Sequence, residues 1–258
     1  MMLIPCEQGS VAWHNARAGI ITASMFGVAR KRVGELDERQ QQYVDAVLAG
    51  SAPKDAALAA GYKALPKSAI IERALAGEPV GDYSEEAKNY AFRLAIERIS
   101  GEPLDEGFET FAMRRGKDLE PAARAEHEIQ SGLIVQRAGF VLSDCGNYGC
   151  SADGLINADG GSEYKCFINP EKLRAFHVDN DASDVFEQAQ GCMWITGRQW
   201  WHIGMFCPAL ESVGKQLWWR RFERDEAFIA SMQADLERFR AVVDSYEAAL
   251  RQPEQEAA

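Results

Sequence analysis

The sequence predicts an α/β or α+β domain with a helical N-terminal part. Residues 36–130 read as mostly helical, strand-like segments follow from Leu133 to Phe167, and one helix-like segment intervenes before the later strands. Taken in order, Asp37 to Leu48 places Tyr43, Val44, Val47 and Leu48 at the spacing of one apolar helix face. Ser84-Glu85-Glu86 opens a second helix, because serine accepts from free amides and carboxylates suit the positive end of the dipole. That helix runs to about Ile99, before Gly101 and Pro103. A third spans about Phe108 to Gln130, with Gly132 as its stop and Pro121 predicting a kink or a break.

Leu133 to Leu142 and Tyr148 to Ile156 are strand-like, Asn157 to Gly161 is a turn, and Ser162 to Phe167 is a third strand. Asp184 to Thr196 returns to helix, Trp200 to Phe206 and Val213 to Phe222 are strand-like, and Asp225 to Leu250 is a long closing helix. A small sheet with a helix crossing back between its strands is the expected centre. No internal repeat is visible. Lys54 to Tyr62, KDAALAAGY, resembles a short helix-turn-helix stretch of some phage DNA-packaging subunits, although alanine-rich turns of this kind are common.

Composition narrows the function. The 258 residues are 47% hydrophobic and 26% charged, which excludes collagen-like and disordered chains. The uncharged run Ala18 to Ala29 is too short to span a bilayer. Met1 to Ser10 lacks the basic start of a secretory signal, so a cytoplasmic location is expected. The six cysteines include no CxxC pair, and no two of the four histidines have metal-ligand spacing, so free thiols are expected. Lys and Arg total 28 against 39 Asp and Glu, a net charge of −11, which excludes coating nucleic acid by bulk charge. DNA contact would then need local patches such as Arg30-Lys31-Arg32, Arg114-Arg115 with Lys117, or Arg220-Arg221 with Arg224.

The informative stretch is Cys150 to Cys166, CSADGLINADGGSEYKC. Asp153 lies in one strand just before Gly154; Glu163 and Lys165 stand two apart on the next and so share a face, which the hairpin-like turn can bring beside Asp153. Carboxylate oxygens are the ligands Mg²⁺ prefers, and a lysine beside a metal can orient or deprotonate a water for attack on phosphorus. A solvated Glu163–Lys165 pair is the plainer reading of these residues alone. Glu120 offers a further carboxylate, with Arg124 at ion-pair spacing; Gln188 and Gln190 precede Met193 and Trp194 on a helix. Near the N-terminus, Arg17 with Thr22 and Ser24 could clamp a phosphate, since a guanidinium fork matches its oxygens, while Trp13 reads as core.

Together, AWHNARAGIITAS, RRGKDLEPAARAEHEIQSG, CSADGLINADGGSEYKC, QAQGCMWITGRQWW and FERDEAFIAS resemble, in order, the phage lambda exonuclease family of viral recombination nucleases. That family belongs to the PD-(D/E)xK superfamily. The resemblance implies a restriction-endonuclease-like core with a small mixed sheet flanked by helices, in one domain over 1–258 with a helical insertion at about 34–105. It implies two Mg²⁺ ions, replaceable by Mn²⁺, held by Asp153, Glu163, the Tyr164 carbonyl and Glu120, with Asp144 as a supporting acid. Lys165 would be the catalytic lysine and Gln188 an active-site glutamine. Arg17, Ser24 and Ser151 would hold the 5′-phosphate of a DNA end, and Met113 would be an apolar wedge against the terminal base pair. Ala152 replaces the proline of the superfamily's name, a residue that shapes the turn without ligating metal.

The implied activity is 5′-to-3′ digestion of linear double-stranded DNA, leaving 3′ strands for recombination by annealing. The implied assembly is a ring-shaped homotrimer around DNA, partnered by a single-strand annealing protein in a phage-infected or lysogenic bacterium, with no membrane partner. Enclosure by a ring would reconcile a charge of −11 with DNA binding. Two rivals remain: an endonuclease or structure-specific nuclease of the same superfamily, which needs no Arg17 clamp, and a non-catalytic DNA-binding or packaging adaptor.

Overall fold

The computed structural model describes residues 1–104 and 110–253, and the statements below concern those residues. They form two compact units, one of residues 1–29 with those from Tyr90 onward, the other Arg30–Asn89. The first opens with β1 (Met2–Ile4), α1 (Val11–Arg17), β2 (Ile21–Thr22), a 3₁₀ turn at Ala23–Met25 and α2 (Phe26–Ala29). The second contains β3 (Arg32–Val33), α3 (Glu38–Leu48), α4 (Pro53–Ala59), α5 (Ala69–Leu75) and β4 (Asp82–Tyr83). Helix α6 (Glu85–Ser100) begins in the second unit and ends in the first.

The Arg30–Asn89 unit has its own core, in which Tyr43 and Val44 of α3 pack with Ala56, Ala57, Ala60 and Ile71. Helix α3 starts on a reciprocal cap: the Asp37 carboxylate accepts from the Gln40 amide at 2.7 Å, and the Gln40 side chain accepts from the Asp37 amide at 3.0 Å. Leu48, expected on the apolar face, is 62% exposed at the helix end. The KDAALAAGY segment forms α4 and the turn after it. The insertion expected at about 34–105 overlaps this unit.

From Tyr90 onward the first unit continues with α7 (Phe111–Ser131), β5 (Val135–Gln136), β6 (Phe140–Leu142), β7 (Tyr148–Ser151), β8 (Gly154–Ile156) and β9 (Gly160–Lys165). It closes with α8 (Pro170–Arg174), α9 (Ser183–Thr196), β10 (Trp200–Phe206), β11 (Leu217–Glu223) and α10 (Glu226–Arg251). One sheet has the order β1-β6-β7-β2 and another β11-β10-β9-β8-β5. Strands β9 and β10 are parallel, Trp200 opposite Gly160 and Met205 opposite Lys165, so α9 lies in a crossover between them. Hairpin β8–β9 turns at Asn157, whose φ of 51° is the left-handed conformation that asparagine tolerates. A Cβ on Gly160 or Gly161 would strike the rings of Trp200 and Trp201, so glycine there lets these tryptophans lie across the strand.

Several expectations are corrected. Leu133–Leu142 is two strands, β5 and β6, in different sheets; Gly139 between them passes so close to the backbone of Ile4 and Cys6 that no Cβ fits. Tyr148–Ile156 likewise divides into β7 and β8, and Ala152-Asp153 is the point where the chain changes sheet. The last strand begins at Leu217, because Pro208–Val213 is a 3₁₀ turn. Phe108, the expected start of the third helix, lies outside the described residues; α7 starts after Thr110, whose hydroxyl accepts from the Met113 amide at 3.2 Å. Pro121 does not break α7, which runs on to the left-handed cap Gly132. Proline deletes one rung of the ladder, and Ala123 and Leu119 anchor the helix against Tyr164, Phe206 and Leu217. All six cysteines are free thiols, and no helix among the described residues is long and apolar enough to cross a membrane.

Candidate active site

The change of sheet at Ala152-Asp153 sets the site. Leaving β7, the chain turns Asp153 inward, where it is 9% exposed and its Oδ2 accepts the Tyr164 amide of β9 at 2.7 Å. Alternation on β9 then directs Glu163 and Lys165 to one side, while the Tyr164 ring packs behind, against Ala123 and Phe206. Lys165 Nζ donates to Glu163 Oε1 at 2.8 Å and to Gln188 Oε1 at 2.9 Å, and Gln188 Nε2 donates to Glu163 Oε1 at 2.7 Å. Gln188 of the crossover helix thus holds both charged groups. Gln190, its sequence neighbour, is buried elsewhere, bonded to the Glu223 carbonyl and the Asp225 amide.

These groups line a cavity of about 620 Å³. Met113, Gly116, Lys117 and Glu120, at the i, i+3, i+4, i+7 spacing, present one face of α7 to it. Glu120 is paired with Arg124, which also donates to the Asp153 carbonyl at 3.2 Å. Arg17, Ser24 and Ser151 line the same cavity, as does Tyr164. Asp144 is the exception: it stands in the turn after β6, its side chain 92% exposed beside the Met1 amino group, and is not among the lining residues. That turn closes the β6–β7 hairpin and points its acid to solvent.

Crowding of acids in a buried place perturbs them. Burial, and then the neighbouring Glu163 and Glu120 carboxylates, hold the Asp153 carboxyl well above its ordinary range, against the opposing pull of Lys165. Burial raises Glu120 as well, against Arg124. Burial alone would lower Lys165, but the Glu163 and Asp153 charges prevail and raise it, so the side chain is an ammonium at neutral pH. It can donate hydrogen bonds to a water or a phosphate oxygen; it is not poised to remove a proton.

Sequence reasoning missed several residues. Trp13, read as core, lines the cavity, with the Arg17 guanidinium 4.0 Å above its ring and its indole N–H donating to Ser151 Oγ at 2.8 Å. Its position four before Arg17 on a helix was the available signal. Phe167, Ile168, Asn169 and Lys172, just past β9, also line it. Behind the site, His127 of α7 joins the Tyr164 hydroxyl at 2.7 Å and His202 of β10 at 2.8 Å; both imidazoles are buried and pushed down to about 4 by that burial. Their distance in sequence gave no sign of the pairing.

Residues 73–199 match the YqaJ-like viral recombinase domain, a range that includes Glu120, Asp153, Glu163, Lys165 and Gln188 but not Arg17 or Ser24. The fold is similar to that of an alkaline exonuclease from Laribacter hongkongensis, at 23% identity and a TM-score of 0.66, over 94% of this chain and 96% of that one. The same enzyme in complex with dAMP matches equally well. No curated protein sequence matches the chain. The match to a viral recombinase domain over residues 73–199 and the likeness of the fold to that of an exonuclease agree with the order of motifs along the sequence.

Proposed function

We propose that the protein is a Mg²⁺-dependent 5′-to-3′ exonuclease that digests linear double-stranded DNA from 5′-phosphorylated ends. The observation that carries this reading is that one cavity joins Asp153, Glu163, Lys165 and Glu120 to Arg17, Ser24 and Ser151. The first group suits hydrolysis of a phosphodiester, and the second suits a terminal phosphate.

The donor set fits a divalent cation. Glu163 Oε2 is buried without a hydrogen-bond partner, and Asp153 sits among like charges that a cation would offset. As the side chains stand, no three His, Cys, Asp or Glu groups among the described residues are gathered as a metal site, since Glu120 turns to Arg124 and Glu163 Oε1 to Lys165 and Gln188. Asp153, Glu163 and the Tyr164 carbonyl would hold Mg²⁺ or Mn²⁺, with Glu120 joining a second ion on release from Arg124. The bound ions would supply charge that stabilises the attacking and departing oxygens.

In this scheme Lys165 donates to the attacking water and Gln188 keeps Lys165 and Glu163 aligned. The water oxygen forms a bond to phosphorus and gives up a proton to solvent, the bond from phosphorus to the 3′-oxygen of the terminal nucleotide breaks, and that oxygen takes a proton from solvent and leaves as a hydroxyl. The phosphate stays on the 5′ side of the next nucleotide. Each cut therefore regenerates the end that Arg17, seated on Trp13, would grip. The 3′ strands so exposed would serve recombination with a single-strand annealing protein, and a homotrimeric ring would keep a chain of net charge −11 on its DNA.

The test is digestion of linear duplex with 5′-phosphate or 5′-hydroxyl ends beside a covalently closed circle, with and without Mg²⁺. Fast Mg²⁺-dependent loss of the phosphorylated ends with an intact circle is expected. A cut circle would favour an endonuclease, and no cleavage at all would favour a DNA-binding adaptor.

A further inference from the structure

A cavity that handled phosphates alone would need no apolar wall. Yet Met113 of α7, with Phe167 and Ile168 just past β9, lines the cavity of Asp153, Glu163 and Lys165, and Met113 and Ile168 are each 53% exposed. Clustered exposed apolar side chains mark a binding surface. We propose that residues 166–169 form a nucleobase subsite, in which Ile168 and Phe167, with Met113, take the base of the nucleotide being released. The proposal rests on the nuclease reading above.

The segment is braced from several sides. Arg115 of α7 donates to the Cys166 carbonyl at 2.6 Å. The Phe167 ring meets Phe176 edge-on at 6.3 Å, and Phe176 in turn packs on Trp218 at 5.1 Å. Lys172 lies 4.7 Å over the Phe167 ring and pairs with Asp184 at 3.0 Å. Ile168 is therefore presented to the cavity on a fixed backbone, and a fixed apolar surface orders a ligand at little entropic cost. The segment starts one residue after Lys165, so a base resting on it leaves its own sugar and phosphates beside the hydrolytic groups. Every base has an apolar face, so such a subsite accepts all four, as digestion of arbitrary sequence requires. A volume of about 620 Å³ lies within the roughly 300–1,000 Å³ range of sites that enclose small ligands.

The test is calorimetric binding of dAMP and of deoxyribose 5-phosphate, which differ by the base alone, to the wild-type chain and to Ile168→Ala and Phe167→Ala. The wild type is expected to bind dAMP about tenfold or more tightly over deoxyribose 5-phosphate, about 1.4 kcal/mol per decade. Each substitution should remove most of that advantage while leaving deoxyribose 5-phosphate affinity within about twofold. Ile168 is half exposed, so its truncation keeps the test valid even if Phe167→Ala fails to fold. No dAMP binding, equal affinity for the two ligands, or a dAMP advantage that survives Ile168→Ala would overturn the subsite; the last result would leave the apolar segment as a surface for a protein. Digestion of linear duplex separates the two readings. Absence of nucleotide release with base-dependent binding intact would sink the nuclease reading alone, and digestion without base-dependent binding would sink the subsite alone.

Discussion

The two ends of the cavity are built differently. At the acid end, Asp153, Glu163 and Lys165 sit on or beside strand β9, are largely buried, and are tied to one another and to Gln188. At the other end, Arg17 closes a short helix, Ser24 lies in a 3₁₀ turn and Ser151 ends a strand, with Trp13 as the platform that joins Arg17 to Ser151. Strand alternation and burial fix the first set and concentrate its charge in a buried place, where neighbouring charges raise Asp153 and Lys165. Recognition of a terminal phosphate needs less: a guanidinium and hydroxyls that reach the same oxygens from loosely related elements. The acid end should therefore be intolerant of any change, and the other end should lose selectivity while keeping chemistry.

The largest effect is expected at Asp153 and Glu163. Asp153→Asn or Glu163→Gln should lower hydrolysis by at least about a thousandfold, roughly 4 kcal/mol at 1.4 kcal/mol per decade. Without Mg²⁺, Asp153→Asn should melt above the wild type, since an amide does not repel Glu163 and Glu120. Ligand binding to the folded state raises stability, so Mg²⁺ should raise the melting temperature of the wild type and not of Asp153→Asn. A variant with wild-type turnover would remove the proposed metal site.

Next comes Lys165. Lys165→Met should slow single-turnover cleavage by about 10²–10⁴, the range of a positioned proton-transfer or water-holding group, with duplex affinity changed by about twofold or less. Parallel loss of binding and cleavage would recast Lys165 as a phosphate contact.

Arg17→Ala should be smaller and selective. Charge-assisted hydrogen bonds are worth roughly 1.5–3 kcal/mol, so digestion of 5′-phosphorylated ends should slow by about one to two decades while 5′-hydroxyl ends barely change. Rates for both proteins on both ends form a double-mutant cycle, and a coupling energy near zero would release Arg17 from the phosphate and favour the endonuclease.

The smallest effect on rate, but a measurable one on stability, belongs to the pair behind the site. His127 and His202 are pushed down to about 4 by burial, against roughly 6.5 when unfolded. Their folded-state pKa values lie below the unfolded ones, so the stability they contribute is present above about pH 6.5 and drains as pH falls towards 4, because the unfolded chain takes up protons first. The slope is up to about 1.4 kcal/mol per pH unit for each imidazole. Urea unfolding at pH 7.5, 6 and 5 should show it, and His202→Asn should flatten it; an unchanged slope in that variant would assign the acid sensitivity to other groups.

Much of the architecture was legible because local rules governed it. The Ser84 and Gly132 helix boundaries, the Trp200–Phe206 strand and the closing helix after Asp225 follow from caps, breakers and periodicity. Leu133–Leu142 and Tyr148–Ile156 were misread as single strands because both halves are strand-forming, and a change of sheet leaves no mark in propensity. Asp144 stands apart from the other acids for a similar reason: an acid near the motif in sequence can face solvent across a hairpin.

What the sequence determined by itself is the set of groups that can meet on one strand or one helix face. Glu163 and Lys165 two apart on β9, and Met113, Gly116, Lys117 and Glu120 on α7, are fixed by the periods of 2 and 3.6. Which of these faces confront one another was decided only by tertiary structure. The break at Asp153 that turns its carboxylate to the Tyr164 amide, the bridge by Gln188, the bond from Trp13 to Ser151, and the burial of His127 against His202 all join residues between 11 and 138 positions apart. Contacts at such separations form because sheet pairing and core packing bring distant segments together, and neither leaves a local period to read.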